Sequence, residues 1–127
     1  MYRSGQILKT IAYSIGNTPI VYHFGVIWVD DETGEIFVLH NDFENGTIMD
    51  SLEQFLEERE IEEVQDSYLE QLTNNQLLER FESCQGDFDL LDYNCEHFID
   101  CMMGDLKKSE QIVIYLLGAV LIYLILK

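Results

Sequence analysis

Three side chains in this sequence are of the types that carry out thiol chemistry: Cys95, His23 and His40. A thiolate attacks carbonyl carbon, and it needs a base within hydrogen-bond reach and a partner that orients the base. Cys95 follows Asn94, a favoured N-cap residue, and precedes apolar residues at helical spacing, which predicts a helix starting at the cysteine. There the free N–H groups and the helix dipole favour the thiolate. His97 is two residues further along this helix and projects to another face, so it is poorly placed as the base.

The two other histidines are predicted to lie on neighbouring strands. His23 stands in the β-branched and aromatic run 20–29, which we expect to be a strand buried on both faces. His40 closes a second such run, 35–40, and the short polar connection 30–34 predicts an antiparallel hairpin. Side chains on one face of paired strands lie about 5 Å apart, so the two rings meet if the register agrees. The pattern leaves open which histidine is the base.

The other elements are predicted from turn residues, helix caps and hydrophobic periodicity. Asp50 is expected to open a helix with Glu53 as its capping-box partner. Thr73 is expected to cap a second helix over Asn74 to Cys84, and Gly86 is expected to stop it there. Short strands are expected at four further places: 6–13, 48–49, 61–64 and 88–91.

Charge and cysteine content limit the classes of function. The 127 residues suffice for one small domain, and their formal net charge of -17 leaves no basic stripe for nucleic acid. A domain with this negative charge is also repelled by anionic membrane surfaces. Three cysteines, an odd number, with no signal peptide favour free thiols in a reducing compartment: Cys84, Cys95 and Cys101. No metal-ligand spacing is visible, so neither a metal nor a cofactor is expected.

The C-terminal segment is apolar on all sides. Residues 112–126 carry no charge, and as a helix they span roughly 23 Å, less than the ~30 Å hydrocarbon core. A buried core helix is the alternative, but flanking lysines and the terminal position favour a membrane anchor over 107–127. More lysines precede the run than follow it, which places the body, 1–106, on the cytoplasmic side. The lysines are Lys107, Lys108 and Lys127.

Three blocks of sequence together resemble the lecithin retinol acyltransferase family, which includes the HRAS-like suppressor phospholipase/acyltransferases. The blocks are Tyr22-His23-Phe24-Gly25-Val26-Ile27-Trp28, Val38-Leu39-His40 and Asn94-Cys95-Glu96-His97-Phe98. The likeness extends to residues 4–8, to 51–56 and to the terminal apolar run, so that it covers nearly the whole chain.

The resemblance implies an α+β fold of the circularly permuted papain-like type, in which helices pack on an antiparallel sheet. It also implies that Cys95 is the nucleophile, His23 the general base and His40 the orienting residue, with the Cys95 N–H in the oxyanion hole. The implied activity is cysteine-dependent acyl transfer or phospholipase A-type hydrolysis through a cysteinyl thioester. The implied substrate is a membrane phospholipid or another acyl-ester lipid.

Two other functions are open at this point. Related permuted papain-like families, some of which cleave ubiquitin-like conjugates, carry a similar Asn-Cys-x-His-Phe block, and an acidic body suits a basic protein partner. A cysteine peptidase or isopeptidase is therefore one alternative. The other is a non-catalytic membrane adaptor that retains the fold, which predicts a thiol without a lowered pKa.

Overall fold

A computed structural model describes residues 1–57, 59–89, 91 and 93–104 of the chain and shows an α+β fold. Nine elements follow one another: β1 (Ile7–Ile15), β2 (Thr18–Val29), β3 (Ile36–Asp42), β4 (Gly46–Ser51), α1 (Leu52–Phe55), β5 (Glu60–Gln65), a 3-10 turn (Tyr68–Gln71), α2 (Asn74–Ser83) and α3 (Cys95–Met103). The strands form one antiparallel sheet in the order β4-β3-β2-β1-β5. The predicted α+β class and the antiparallel sheet are therefore confirmed.

Each face of the sheet covers its own apolar core, because successive side chains of a strand point to opposite faces. On one face α2 and α3 pack against the strands, and α3 lies on β2 and β3. On the other face the short helix α1 contributes Phe55 to a smaller cluster with Leu8, Ile27 and Val38. The larger core includes Val26, Leu39, Leu77, Phe98 and Met102.

The sheet forks at the level of the histidines. Pairing between β2 and β3 runs from Val29↔Ile36 to Gly25↔His40 and ends there. Beyond that point β3 continues beside β4, whereas the first half of β2 remains paired with β1. The fork therefore frees one backbone edge of β2 at residues 18–24, and this edge lies beside the start of α3.

Several predicted boundaries are wrong. Asp50 does not open a helix: Ser51 is the N-cap, in a reciprocal capping box with Gln54, and Asp50 belongs to β4. The second helix has its predicted N-cap, Thr73, and ends at Ser83, one residue before the predicted end at Cys84. The expected strand at 88–91 is reduced, among the described residues, to one antiparallel bridge from Asp89. The burial of β2 on both faces holds for its middle only, because Val21 is 38% exposed.

The expectation of three free thiols is also wrong. Cys84 and Cys101 form a disulfide, which leaves Cys95 as the free cysteine. Cys84 caps the end of α2, and Cys101 lies in the last turns of α3. The two helices pack together, so the Cα atoms approach to 5.9 Å, a separation that a disulfide bridges readily.

Within the described part of the chain, no helix has the length and apolar character needed to cross a membrane. The predicted anchor over 107–127 lies outside the described residues.

Candidate active site

The structure brings the two predicted strand histidines together. Gly25 is opposite His40, so His23 is the diagonal neighbour of His40 on the same face of the sheet. His23 Nε2 lies 3.0 Å from His40 Nδ1, and the two rings are perpendicular. Both side chains are buried, and the Phe55 ring packs against each of them at centroid distances of 5.7 and 4.8 Å. The rings are therefore held in one geometry.

Asp50 is a further member of this chain of hydrogen bonds that sequence reasoning missed. Its Oδ2 lies 2.8 Å from His40 Nε2. Asp50 is opposite Val38 in the β3–β4 ladder, so its side chain is on the same face as His40. The signal that could have identified it is the alternation of β4, which the predicted helix cap at Asp50 obscured.

The three side chains determine which ring nitrogen is free to accept a proton. Burial, together with the neighbouring His40 and Arg59, lowers the pKa of His23 to about 3. Burial also lowers the pKa of His40, although its hydrogen bond to Asp50 acts in the opposite direction. Both rings are therefore neutral at pH 7.

A carboxylate only accepts hydrogen bonds, so neutral His40 carries its proton on Nε2 and accepts at Nδ1. His23 then donates from Nε2 to that nitrogen. We infer from this pattern that Nδ1 of His23 is unprotonated and is the basic nitrogen of the pair.

Cys95 begins α3, as predicted. The Asn94 side chain accepts the N–H groups of Glu96 and His97, each at 3.0 Å, and His97 Nδ1 accepts the Asn94 N–H at 3.2 Å. Asn94 and His97 thus form a reciprocal cap and fix the first turn. His97 therefore has a structural role in this cap.

The sulfur of Cys95 lies against the free edge of β2. Its thiol donates to the carbonyl oxygen of Tyr22 at an S···O distance of 3.9 Å. Burial raises the pKa of this thiol to about 11, while the backbone N–H groups of Phe24, Cys95 and Glu96 oppose that change. The predicted stabilisation of the thiolate at the helix start is therefore wrong in net effect. The N–H groups are present, but desolvation outweighs them.

Cys95 and His23 line the same cavity, whose volume is about 660 Å³. Among the described residues, the sulfur forms no hydrogen bond with either imidazole; its hydrogen bond goes to Tyr22. Proton transfer to His23 therefore requires the sulfur to leave the Tyr22 carbonyl and approach the imidazole ring. Catalytic hydrogen bonds are often formed only when the substrate is bound.

The described residues include no group of three or more His, Cys, Asp or Glu side chains that could hold a metal ion. Asp50, the nearest carboxylate to the histidine pair, is occupied by His40.

Comparison with protein-family models, with curated proteins and with solved structures gave no significant match for this chain.

Proposed function

We propose that this chain is a cysteine-dependent lipid acyltransferase or phospholipase A-type hydrolase on a circularly permuted papain-like domain. One observation carries the proposal: a hydrogen-bonded chain runs from Asp50 through His40 to His23, and His23 lines the same cavity as Cys95. A buried cysteine without a function in proton transfer requires no such oriented base.

In the first half-reaction, the Cys95 thiol turns from Tyr22 toward His23. The sulfur attacks the ester carbonyl carbon while its proton passes to His23 Nδ1. Asp50, acting through His40, stabilises the imidazolium that forms. The tetrahedral intermediate collapses when the carbon–oxygen bond breaks, and His23 returns the proton to the leaving alkoxide. The Cys95 N–H at the start of α3 is suited to the oxyanion.

In the second half-reaction, water or another acceptor attacks the cysteinyl thioester. His23 removes the proton of the attacking group, the carbon–sulfur bond breaks, and the thiolate takes the proton back. The same three side chains therefore serve both halves. The proposed anchor over 107–127 would hold the cavity at a membrane surface, with the body on the cytoplasmic side, where an acyl-ester lipid is at hand.

Intact-mass measurement after incubation with phosphatidylcholine vesicles tests this function. We expect a mass increase of one acyl group on the wild-type chain, located at Cys95 by peptide mapping. Cys95→Ala should show no increase, and His23→Asn should form the adduct at least about 100-fold more slowly. An adduct on Cys84 or Cys101 in the reduced protein, or none on the wild type, would overturn the proposal.

A non-catalytic membrane adaptor is the second candidate, and two observations favour it. The pKa of Cys95 is raised to about 11, and the thiol hydrogen-bonds to a backbone carbonyl and not to an imidazole. The adaptor predicts that the rate of Cys95 alkylation by iodoacetamide at pH 7 is the same in wild type and in His23→Asn. The enzyme predicts that the wild type reacts faster, because His23 takes the thiol proton.

A further inference from the structure

One carboxyl group in the cavity has no function in the proton-transfer chain. Glu96 is the second residue of α3 and lines the cavity together with Cys95, yet it is only 8% exposed. Its carboxyl oxygens form no hydrogen bond or ion pair with any residue that the structure describes. Burying a carboxylate without a partner is costly, so such a group is expected to be retained for a ligand.

The charge of the cavity defines which ligand fits. Two further carboxylates line it, Glu44 and Glu57, and the cationic side chain there, Arg59, is bound to Asp42 at 3.3 Å. With Glu96 the cavity has a surplus of negative charge. This field attracts a cation and repels a phosphate or a free carboxylate.

Two aromatic rings complete this environment. Phe43 and Phe88 also line the cavity and contact each other edge to face, with ring centroids 5.3 Å apart. Phe43 is 76% exposed, so its ring is accessible from solvent. Aromatic faces beside carboxylates favour an ammonium group.

We propose that Glu96 binds the ammonium group of an amine acyl acceptor and takes the first proton from it. The inference rests on the proposed function, because the amine attacks the thioester on the adjacent residue, Cys95. It assigns to Glu96 the choice between an amine and other acceptors.

The proton balance of aminolysis requires such a group. An ammonium ion must lose one proton before its nitrogen lone pair can attack, and Glu96 as a carboxylate accepts it. The neutral amine then forms the carbon–nitrogen bond, the carbon–sulfur bond breaks, and the second proton passes through His23 to the Cys95 thiolate. Glu96 releases its proton to solvent. The products are an amide, the free thiol and one proton, whereas attack by an alcohol requires His23 alone.

The protonation of Glu96 is suited to this step. Burial raises the pKa of its carboxyl to about 7, against the opposing effect of Lys9, whose ammonium lies over the Tyr22 ring. The other charged or titratable groups around the cavity are Cys95 on α3, Tyr22 and His23 on β2, and Asp42, Glu44, Glu57 and Arg59. Transfer to an amine is therefore expected to rise through about pH 7 as the carboxylate forms.

The experiment compares two acceptors of matched size, ethanolamine and ethylene glycol, with p-nitrophenyl butyrate as the acyl donor. The p-nitrophenol burst reports acylation of Cys95, and mass spectrometry measures the two transfer products. We expect Glu96→Gln to lower the ratio of amide to glycol ester by at least about tenfold, a modest value for a positioned base. Asp100→Asn, a carboxylate on the same helix outside the cavity, should keep the ratio of the wild type.

The outcomes separate the two proposals. A wild-type burst with an unchanged ratio in Glu96→Gln overturns the role of Glu96 alone, whereas no burst in the wild type overturns the proposed function and this inference with it. Lys9→Met provides a second test if Glu96→Gln does not fold. The ratio of amide to glycol ester is measured against pH in Lys9→Met and in the wild type. Loss of the lysine charge should move the midpoint of this pH profile upward in the variant, and an unmoved midpoint overturns the inference.

Discussion

The carboxylate of Asp50 determines where the protons of two buried rings reside. It accepts from His40, which therefore accepts from His23, and this order leaves Nδ1 of His23 without a proton. The direction of these hydrogen bonds follows from the Asp50 carboxylate, because a carboxylate only accepts hydrogen bonds. Replacing that charge tests the arrangement without removing either histidine.

Asp50→Asn is expected to reduce the rate of Cys95 acylation by about 10²- to 10⁴-fold. The amide has no charge to stabilise the imidazolium, and its NH₂ group can donate to His40, which reverses both tautomers. The p-nitrophenol burst measures the effect, and Glu53→Gln, an exposed carboxylate three residues away, is the control. Burst kinetics in Asp50→Asn equal to those of the wild type would contradict the role of Asp50.

The lowered pKa of His23 also predicts how the stability of the folded protein depends on pH. Its folded pKa of about 3 lies below its ordinary value of 6.5, so the unfolded chain binds the proton more tightly between these values. Protonation therefore favours unfolding, and stability is lost as the pH falls through this window.

Between pH 7 and pH 4 the loss due to His23 is about 3 kcal/mol in the free energy of unfolding. Urea unfolding at the two pH values measures it. His23→Asn cannot take up this proton, so its free energy of unfolding should change by about 3 kcal/mol less than that of the wild type. The same pH dependence in both proteins would show that His23 is not held neutral.

At the level of secondary-structure elements, the position of Cys95 depends on two features that fix helix α3. The reciprocal cap of Asn94 and His97 fixes its first turn, and the disulfide between Cys84 and Cys101 fastens its C-terminal half to α2. The cap orients the cysteine directly. The disulfide acts through the packing of two helices.

Reduction of the disulfide is expected to lower the free energy of unfolding by about 3 kcal/mol, because the bond closes a loop of 17 residues. Urea unfolding with and without dithiothreitol measures this difference. The double variant Cys84→Ser, Cys101→Ser should be less stable and insensitive to dithiothreitol. Equal stability of the wild type in both conditions would contradict the contribution of the bond.

The sequence predicted those helices and strands whose formation depends on residues close together in the chain. The hairpin of β2 and β3 follows from two apolar runs and a short polar connection, and the start of α3 follows from Asn94. The alternation of β4 gives the face on which Asp50 lies, but its contact with the histidine pair also depends on the register of three strands, which local patterns do not fix. The disulfide and the burial of Cys95 depend on helix packing, to which residues far apart in sequence contribute.

At the level of the whole molecule, negative charge is concentrated without compensation. The formal net charge is -17, and β5 at the edge of the sheet exposes three carboxylates. Self-repulsion in the compact state exceeds that in the expanded chain, so it opposes folding. The three carboxylates are Glu60, Glu62 and Glu63.

Raising the ionic strength from about 0.01 M to about 0.15 M should therefore raise the melting temperature, because the Debye length falls from about 30 Å to about 8 Å. Differential scanning calorimetry measures the change. A triple Glu→Gln variant in β5 should melt higher at low salt and respond less to added salt. A wild-type melting temperature that falls with salt would contradict net self-repulsion.

The fork between β2 and β3 gives the sulfur two main-chain neighbours, the Tyr22 carbonyl and the Phe24 N–H. Any substitution at Tyr22 or Phe24, apart from proline, keeps the same backbone carbonyl and N–H groups. An alanine scan along the strand would therefore not detect either contact. Their contribution can be measured only when the backbone itself is changed. Semisynthesis with an α-hydroxy acid at position 24 would convert one amide to an ester and remove that N–H donor while every side chain stays in place.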